Sequence, residues 1–362
     1  MKFNYLLLNL VACSIIPTQG LIENNYRLIQ TTEQGLAKWI SESEFYQLLR
    51  DGKHFVDKTD DGPEPRSMPK IENNFVIPSE LKYKSHTEAA QKFLDTTRAK
   101  SFLTQLSNFH TRYYSSPTGL QAAQFIRDHA KSIASKYKGT IAVEEFNHTW
   151  NQPSIIVRIT GSKYPEEIVV LGAHLDSINR YNPTTGRSPG ADDDGSGSTL
   201  LFEVLESLVE SNFVPQRTIE FQFYAAEEVG LKGSRAIARS YRQEGKNVVA
   251  MLQQDMVGYK PAGVNEIAVK TDYSDPQLAE FVSSLITNYT TYSVKRDKCG
   301  YACSDHASFY ESGYKSAIQS EPILARGYHT EKDVITDVDF DYLNDFCKVA
   351  TAFVIELAES DN

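Results

Sequence analysis

Three carboxylates stand side by side between glycines in SPGADDDGSGSTLLFE, residues 188–203. Adjacent acids repel one another and are poor helix formers, so the run asks for a cation. Asp192, Asp194, Ser196, Gly197 and Glu203 match the oxygen-ligand spacing of a calcium-binding EF-hand loop. The flanks argue against that chemistry. An EF-hand needs an entering helix, and NRYNPTTGRSPGA cannot form one. Its last ligands must stay in a loop, whereas STLLFEVLESLVE reads as an amphipathic helix from about Ser198.

Other chemically capable residues follow apolar runs. LGAHLDS carries His174 and Asp176, YAAEEVGLKGS carries Glu227 and Glu228, LQQDMVGY carries Asp255, and ARGYHTEKDVI carries His329. Each has an ordinary explanation by itself. A His after a strand is commonly a structural hydrogen-bonder, acids suit a helix N-terminus, and a lone Asp can be a cap. Together, two His and several acids resemble a hydrolase site for two divalent metals. Imidazole with carboxylate favours zinc over calcium or magnesium. Of the adjacent glutamates, one would hold a cation and the other would take a proton from water. Asp176 is spaced to fix an imidazole tautomer of His174.

These residues need strands to carry them. SIIVRIT, EIVVLGAH, TIEFQFYAAEE, NVVAMLQQDM, NEIAVKT and KSAIQSE are β-branched or apolar runs. They alternate with helical patterns, including DPQLAEFVSSLITNYT and the terminal DVDFDYLNDFCKVATAFVIELAE. Further helical patterns cover His86–Ser107 and Gly119–Tyr137. The expected fold is α/β, a mainly parallel central sheet flanked by helices. Such sheets bind ligands beyond the carboxyl ends of their strands, where these residues fall.

The net charge of −10 speaks against nucleic acid as a partner. MKFNYLLLNLVACSIIPTQG reads as a signal peptide over residues 1–20, its apolar run being too short to span a membrane. No later run reaches that length, so a secreted, extracellular protein with no membrane partner is expected. Residues 21–77 read as a pro-segment and linker: an amphipathic run, EQGLAKWISESEFYQLLRDG, precedes the exposed-looking KTDDGPEPRSMPKIENN. Residues 78–362 form the catalytic domain, expected as a monomer. In an oxidising compartment Cys299 and Cys303 of CGYAC suit a small disulfide loop, and Cys347 a buried inert thiol. Asn147 and Asn288 head N-glycosylation triplets.

The set AHLDS, PGADDDGSG, AAEEVGLKGS, QQDMVGY, CGYACSDHASF and GYHTEKD resembles, in order and spacing, the motif series of the secreted two-zinc leucyl aminopeptidases of bacteria and fungi. The match runs over roughly Lys84–Leu357. GKHFVDKTDD and FHTRYYSSPTG resemble the fungal branch. The resemblance implies that Asp193 bridges two zinc ions, that His174 and Asp255 bind one, and that Glu228 and His329 bind the other. It makes Glu227 the general base that activates a bridging water, and Asp176 the residue that orients His174. It places Tyr301 against the substrate carbonyl. Met256 and Ile318 are candidates to receive the first side chain. The implied substrates are peptides with a free N-terminus and an apolar, leucine-like first residue. Ser320 departs from the pattern, because members of the family often carry an aromatic there. Within enzymes, a metallo-carboxypeptidase or glutaminyl cyclase on the same fold is the alternative. A binding ectodomain without catalysis is the alternative outside them.

Overall fold

The computed structural model describes residues 26–31, 35–61 and 74–360. The expected signal peptide and most of the expected proline-rich linker lie outside these residues. Near the N-terminus, β1 (Tyr26–Gln30), β2 (Lys38–Ser41), α1 (Glu42–Arg50) and β3 (Val56–Asp57) form a small unit. Three helices follow: α2 (Lys84–Gln91), α3 (Thr96–Leu106) and α4 (Pro117–Ala134). Then come β4 (Ile141–Phe146), β5 (Ser154–Ile159), β6 (Tyr164–His174), α5 (Gly195–Glu210), β7 (Arg217–Tyr224), α6 (Lys232–Glu244) and β8 (Asn247–Gln254). The chain ends with β9 (Glu266–Lys270), α7 (Pro276–Tyr289), β10 (Ser293–Asp297), α8 (His306–Glu311), β11 (Ser316–Ser320) and α9 (Phe340–Glu359).

The eight-stranded sheet runs β10-β9-β11-β8-β6-β7-β5-β4. Its centre, β11-β8-β6-β7, is parallel, as the apolar runs imply. The flanks are mixed: β5 joins β7 and β4 antiparallel, and β9 joins β11 antiparallel. Alternation along the strands divides the core. Val169 and Leu171 of β6 face the larger cluster with Phe202 and Phe353, while Ile168 and Val170 face Ile237, Tyr241 and Phe309. Helices therefore cover both faces, and the strand ends are left for the site.

Two helical expectations are refined. The run at 86–107 is two helices, because Asp95 caps a new start by accepting the N–H of Thr97 and Arg98. In the N-terminal amphipathic run the helix begins only after Ser41, which forms a capping box with Glu44. The preceding Lys38–Ser41 pairs with β1 instead.

The N-terminal unit is bonded to the rest of the chain. Phe45, Leu49 and Ile29 share a core with Tyr113, Ile178, Ala226 and Val229. Buried Asp57 lies 3.2 Å from Arg27 and 3.5 Å from Lys232, and its N–H donates to the carbonyl of Gly230. The start of the expected linker is also held: Asp60 pairs with Lys232 at 2.5 Å and Asp61 with Arg235 at 2.6 Å. No helix among the described residues is long and apolar enough to cross a membrane. Asn147 and Asn288 are exposed, Cys299 and Cys303 form a disulfide, and Cys347 is a buried free thiol.

Candidate metal centre

Three neighbouring strands deliver the site. His174 is the last residue of β6, Glu227 and Glu228 follow β7, and Asp255 follows β8. Asp193 comes from the loop that enters α5, and His329 from the loop after β11. Asp193 lies at the centre. One of its oxygens is 3.0 Å from His174 Nε2 and the other 3.1 Å from His329 Nε2. Asp255 Oδ1 is 3.6 Å from His174 Nε2, and Glu228 Oε2 is 2.7 Å from His329 Nε2. The structure thus gathers every metal-ligand candidate of the sequence, each imidazole nitrogen facing one private carboxylate and one shared one.

The three acids of the opening motif have different surroundings. Asp194 caps α5: one oxygen accepts the N–H of Gly197 and the other that of His174, both at 2.9 Å. Asp192 accepts the N–H of Gly258 at 2.9 Å. Asp194 also lies within ligand range of His174 and Asp255, but its oxygens are already taken by backbone donors. Only Asp193 points both oxygens at imidazoles. Its backbone is held by Asp333, whose two oxygens accept the N–H of Asp192 and Asp193 at 2.9 and 3.0 Å. Fully buried Arg112 donates to the carbonyls of Leu175, Pro189 and Gly190, tying the loop to the end of β6.

Gly197 permits the close approach of α5 to β8. A Cβ there would collide with the carbonyl oxygen of Gln254 and the Asp194 carboxylate. Gly197→Ala is therefore expected to push the helix start away from Asp255. Overpacking of this kind costs about 1–3 kcal/mol, to be read as a lowered denaturation midpoint together with reduced activity.

Asp176 works from beneath. Its Oδ1 is 3.5 Å from His174 Nδ1 and accepts the N–H of Glu227 at 3.0 Å, and Oδ2 accepts that of Glu228 at 3.3 Å. One buried carboxylate thus sets both the imidazole and the adjacent glutamates. Ala226, Met256 and His329 adopt positive φ (58°, 57° and 57°), a left-handed backbone that side-chain-bearing residues rarely take and that collects at functional sites.

The electrostatics point to a cation. Glu228 Oε1 and Asp255 Oδ1 are buried with no hydrogen-bond partner among the described residues, an arrangement that is costly unless a positive charge meets them. Burial and the Asp193 carboxylate raise Glu228 to about 7. Burial, then Asp305, Asp255 and Glu228, push Glu227 well above the usual range against the pull of His174. At His329, burial opposes protonation, but Glu228 and Asp193 outweigh it and raise the imidazole to about 10. Carboxylates and imidazoles that must otherwise share protons are a donor set suited to zinc.

A cleft of about 350 Å³ opens on this centre. Asp193, Glu227, Asp255, His329, Tyr301, Met256 and Ile318 all line it. Sequence reasoning did not single out His54, whose ring stacks on Tyr301 at 3.7 Å, or Tyr328, which stacks on His329 at 3.6 Å. Both lie inside quoted motifs, GKHFVDKTDD and GYHTEKD, but spacing assigns neither a role. The placement of His54 depends on the packing of the N-terminal unit.

Residues 154–354 match the model of peptidase family M28, and the chain belongs to this family. Among curated relatives, it is 39% identical over 342 residues to leucine aminopeptidase 1 of Ajellomyces capsulatus (strain NAm1 / WU24), covering 90% of this chain and 88% of that protein. Among solved structures, the Legionella pneumophila LapA aminopeptidase superposes with a TM-score of 0.79 at 28% identity, over 89% of this chain and 90% of that one. A Bacillus subtilis zinc aminopeptidase shares the fold at 16% identity and a TM-score of 0.62, over 74% of this chain and 97% of its own.

Proposed function

We propose that the chain is a secreted zinc aminopeptidase that removes N-terminal residues, leucine-like ones among them, from peptides with a free α-amine. The observation that carries this reading is Asp193 between His174 and His329, one oxygen toward each. In this reading His174 and Asp255 hold one zinc ion, Glu228 and His329 a second, and Asp193 serves both. The ions supply Lewis acidity, polarising the scissile carbonyl and lowering the pKa of water. Glu227, beside them in the cleft, accepts the proton of the attacking water and returns it to the leaving nitrogen. Tyr301 is kept protonated by burial and by Glu227 and Asp255 nearby. Its hydroxyl donates to the oxygen on which charge develops. The substrate's free α-amine would occupy one of the two metal positions, which makes cleavage start at the N-terminus. Met256 and Ile318 contact the first side chain.

Secretion belongs to the same proposal. It is supported by the leader-like N-terminus, the Cys299–Cys303 disulfide and the exposed Asn147 and Asn288. We also retain residues 21–77 as a pro-segment, whose release would uncover Tyr113, Ala226 and Val229.

The test is metal analysis of the secreted protein combined with peptide digestion. Two zinc ions per chain are expected, with stepwise release of N-terminal residues from unblocked peptides and none from N-acetylated ones. One zinc with formation of pyroglutamate, or no peptide cleavage by zinc-loaded protein, would overturn the reading.

A further inference from the structure

We propose that the cleft also accepts N-terminal residues whose side chains end in an oxygen acceptor, glutamate foremost, and that Lys270 is the residue that selects them. The proposal rests on the aminopeptidase reading above and concerns the far end of the same cleft.

Strand register places Lys270 there. In β9, Ile267 and Val269 join the main core, so Ala268 and Lys270 turn to the opposite face. On β11, Ser320 pairs with Ala268, which puts Ser320 and Ile318 on that same face. On β10, Asp297 pairs with Lys270. Lys270, Asp297, Ile318 and Ser320 all line the cleft, which therefore joins an apolar part, the shaft (Met256, Ile318 and the exposed Leu324), to a charged part, the floor (Lys270, Asp297 and Lys298). A leucine side chain fills only the shaft. A longer side chain brings its end to Lys270.

The sign of the floor follows from counting donors and acceptors. The carboxylates here already have partners. Asp297 Oδ2 lies 3.2 Å from Lys270 Nζ and 3.8 Å from Lys295 Nζ, and Oδ1 accepts the N–H of Lys298 at 2.8 Å. Glu321 accepts the N–H of Tyr259 and Ala325 at 2.8 and 3.2 Å. Donors remain. An ammonium offers three N–H groups, and Asp297 engages one from Lys270. Ser304 also lines the cleft, and its buried hydroxyl has no hydrogen-bond partner among the described residues. Lys298 stands exposed at the rim. A carboxylate or amide oxygen arriving here meets spare donors, whereas a lysine or arginine side chain meets the like charges of Lys270 and Lys298.

The experiment compares Leu-, Gln-, Glu- and Lys-p-nitroanilide on the zinc-loaded protein and its Lys270→Met and Lys270→Arg variants. For the parent, kcat/KM is expected to be higher for Glu and Gln than for Lys. Lys270→Met should lower the Glu-to-Leu ratio by about tenfold or more, mainly through KM, since a site built to bond a polar group loses that discrimination when the partner is removed. Lys270→Arg should restore most of it. The proposal is overturned if the parent prefers Lys to Glu, or if the Glu-to-Leu ratio is the same in Lys270→Met. The parent comparison stands even if a variant does not fold. Release of leucine without glutamate or glutamine defeats this proposal alone. Release of no residue from any substrate defeats the aminopeptidase reading as well.

Discussion

Glu227→Gln is expected to lower kcat on leucine-p-nitroanilide by about 10²–10⁴-fold, the range supplied by a positioned general acid–base group. The variant should keep its zinc and its denaturation midpoint. Glu227 is separated from the five metal-ligand candidates by role and by placement. Its backbone is fixed by Asp176, and its side chain lines the cleft with Tyr301 and feels the charge of His174 without joining the ion pairs that tie the imidazoles to Asp193, Asp255 and Glu228. The amide of Gln has the same shape, so packing and substrate access persist, but it cannot accept a proton from water. KM should therefore change little, because a group that acts in the transition state affects kcat and kcat/KM alike. Activity that survives unchanged would remove Glu227 from the mechanism. Loss of zinc along with activity would make it a ligand and reassign Glu228.

The parallel centre of the sheet was legible because its strands are mostly apolar runs, such as EIVVLGAH and NVVAMLQQ, the pattern of strands covered on both faces. The margins were not. β4 (IAVEEF) and β10 (SVKRD) are half-exposed and charged, and they are strands only because they close the two edges of the sheet, β4 against β5 and β10 against β9. The site residues were visible one by one, since His174, Glu227, Glu228 and Asp255 each follow a strand. Spacing could not decide among Asp192, Asp193 and Asp194. That choice needs the direction of each carboxylate, and the backbone donors Gly258, Gly197 and His174 claim the outer two. Residues that act from elsewhere in the chain were hidden for the same reason. Asp333 supports the backbone of Asp193 across 140 residues of sequence, and Lys270 reaches the cleft only through the register of β9 against β11. What the N-terminal amphipathic run and the charged tail after it would touch was not legible either. The charges of that tail, Asp60 and Asp61, are paired with Lys232 and Arg235 on α6, and pairing across the fold cannot be read from composition.

The three neighbouring aspartates supply the second large effect. Asp193→Asn should abolish activity and strip the protein of at least one zinc. The carboxylate presents an acceptor to each imidazole side, whereas the amide presents an acceptor on one side and an N–H donor on the other. A donor cannot ligate, and it would also face a ring nitrogen that must itself hold the metal. Losing the shared negative charge leaves two cations to repel one another across a buried gap, so the second ion should bind more weakly too. Asp194→Asn should behave differently. Its oxygens serve N–H groups of Gly197 and His174 in the interior, and disturbing a buried, charge-assisted pair of bonds costs about 1–3 kcal/mol. That variant should show a lower denaturation midpoint in the metal-free state, as should Asp193→Asn, whose carboxylate there pairs with both His174 and His329. Zinc content therefore separates two adjacent residues of similar burial. If Asp194→Asn loses the zinc while its metal-free stability is intact, or Asp193→Asn retains both ions, the central carboxylate has been misassigned. The alternative cluster of His174, Asp194 and Asp255 would then be the metal site.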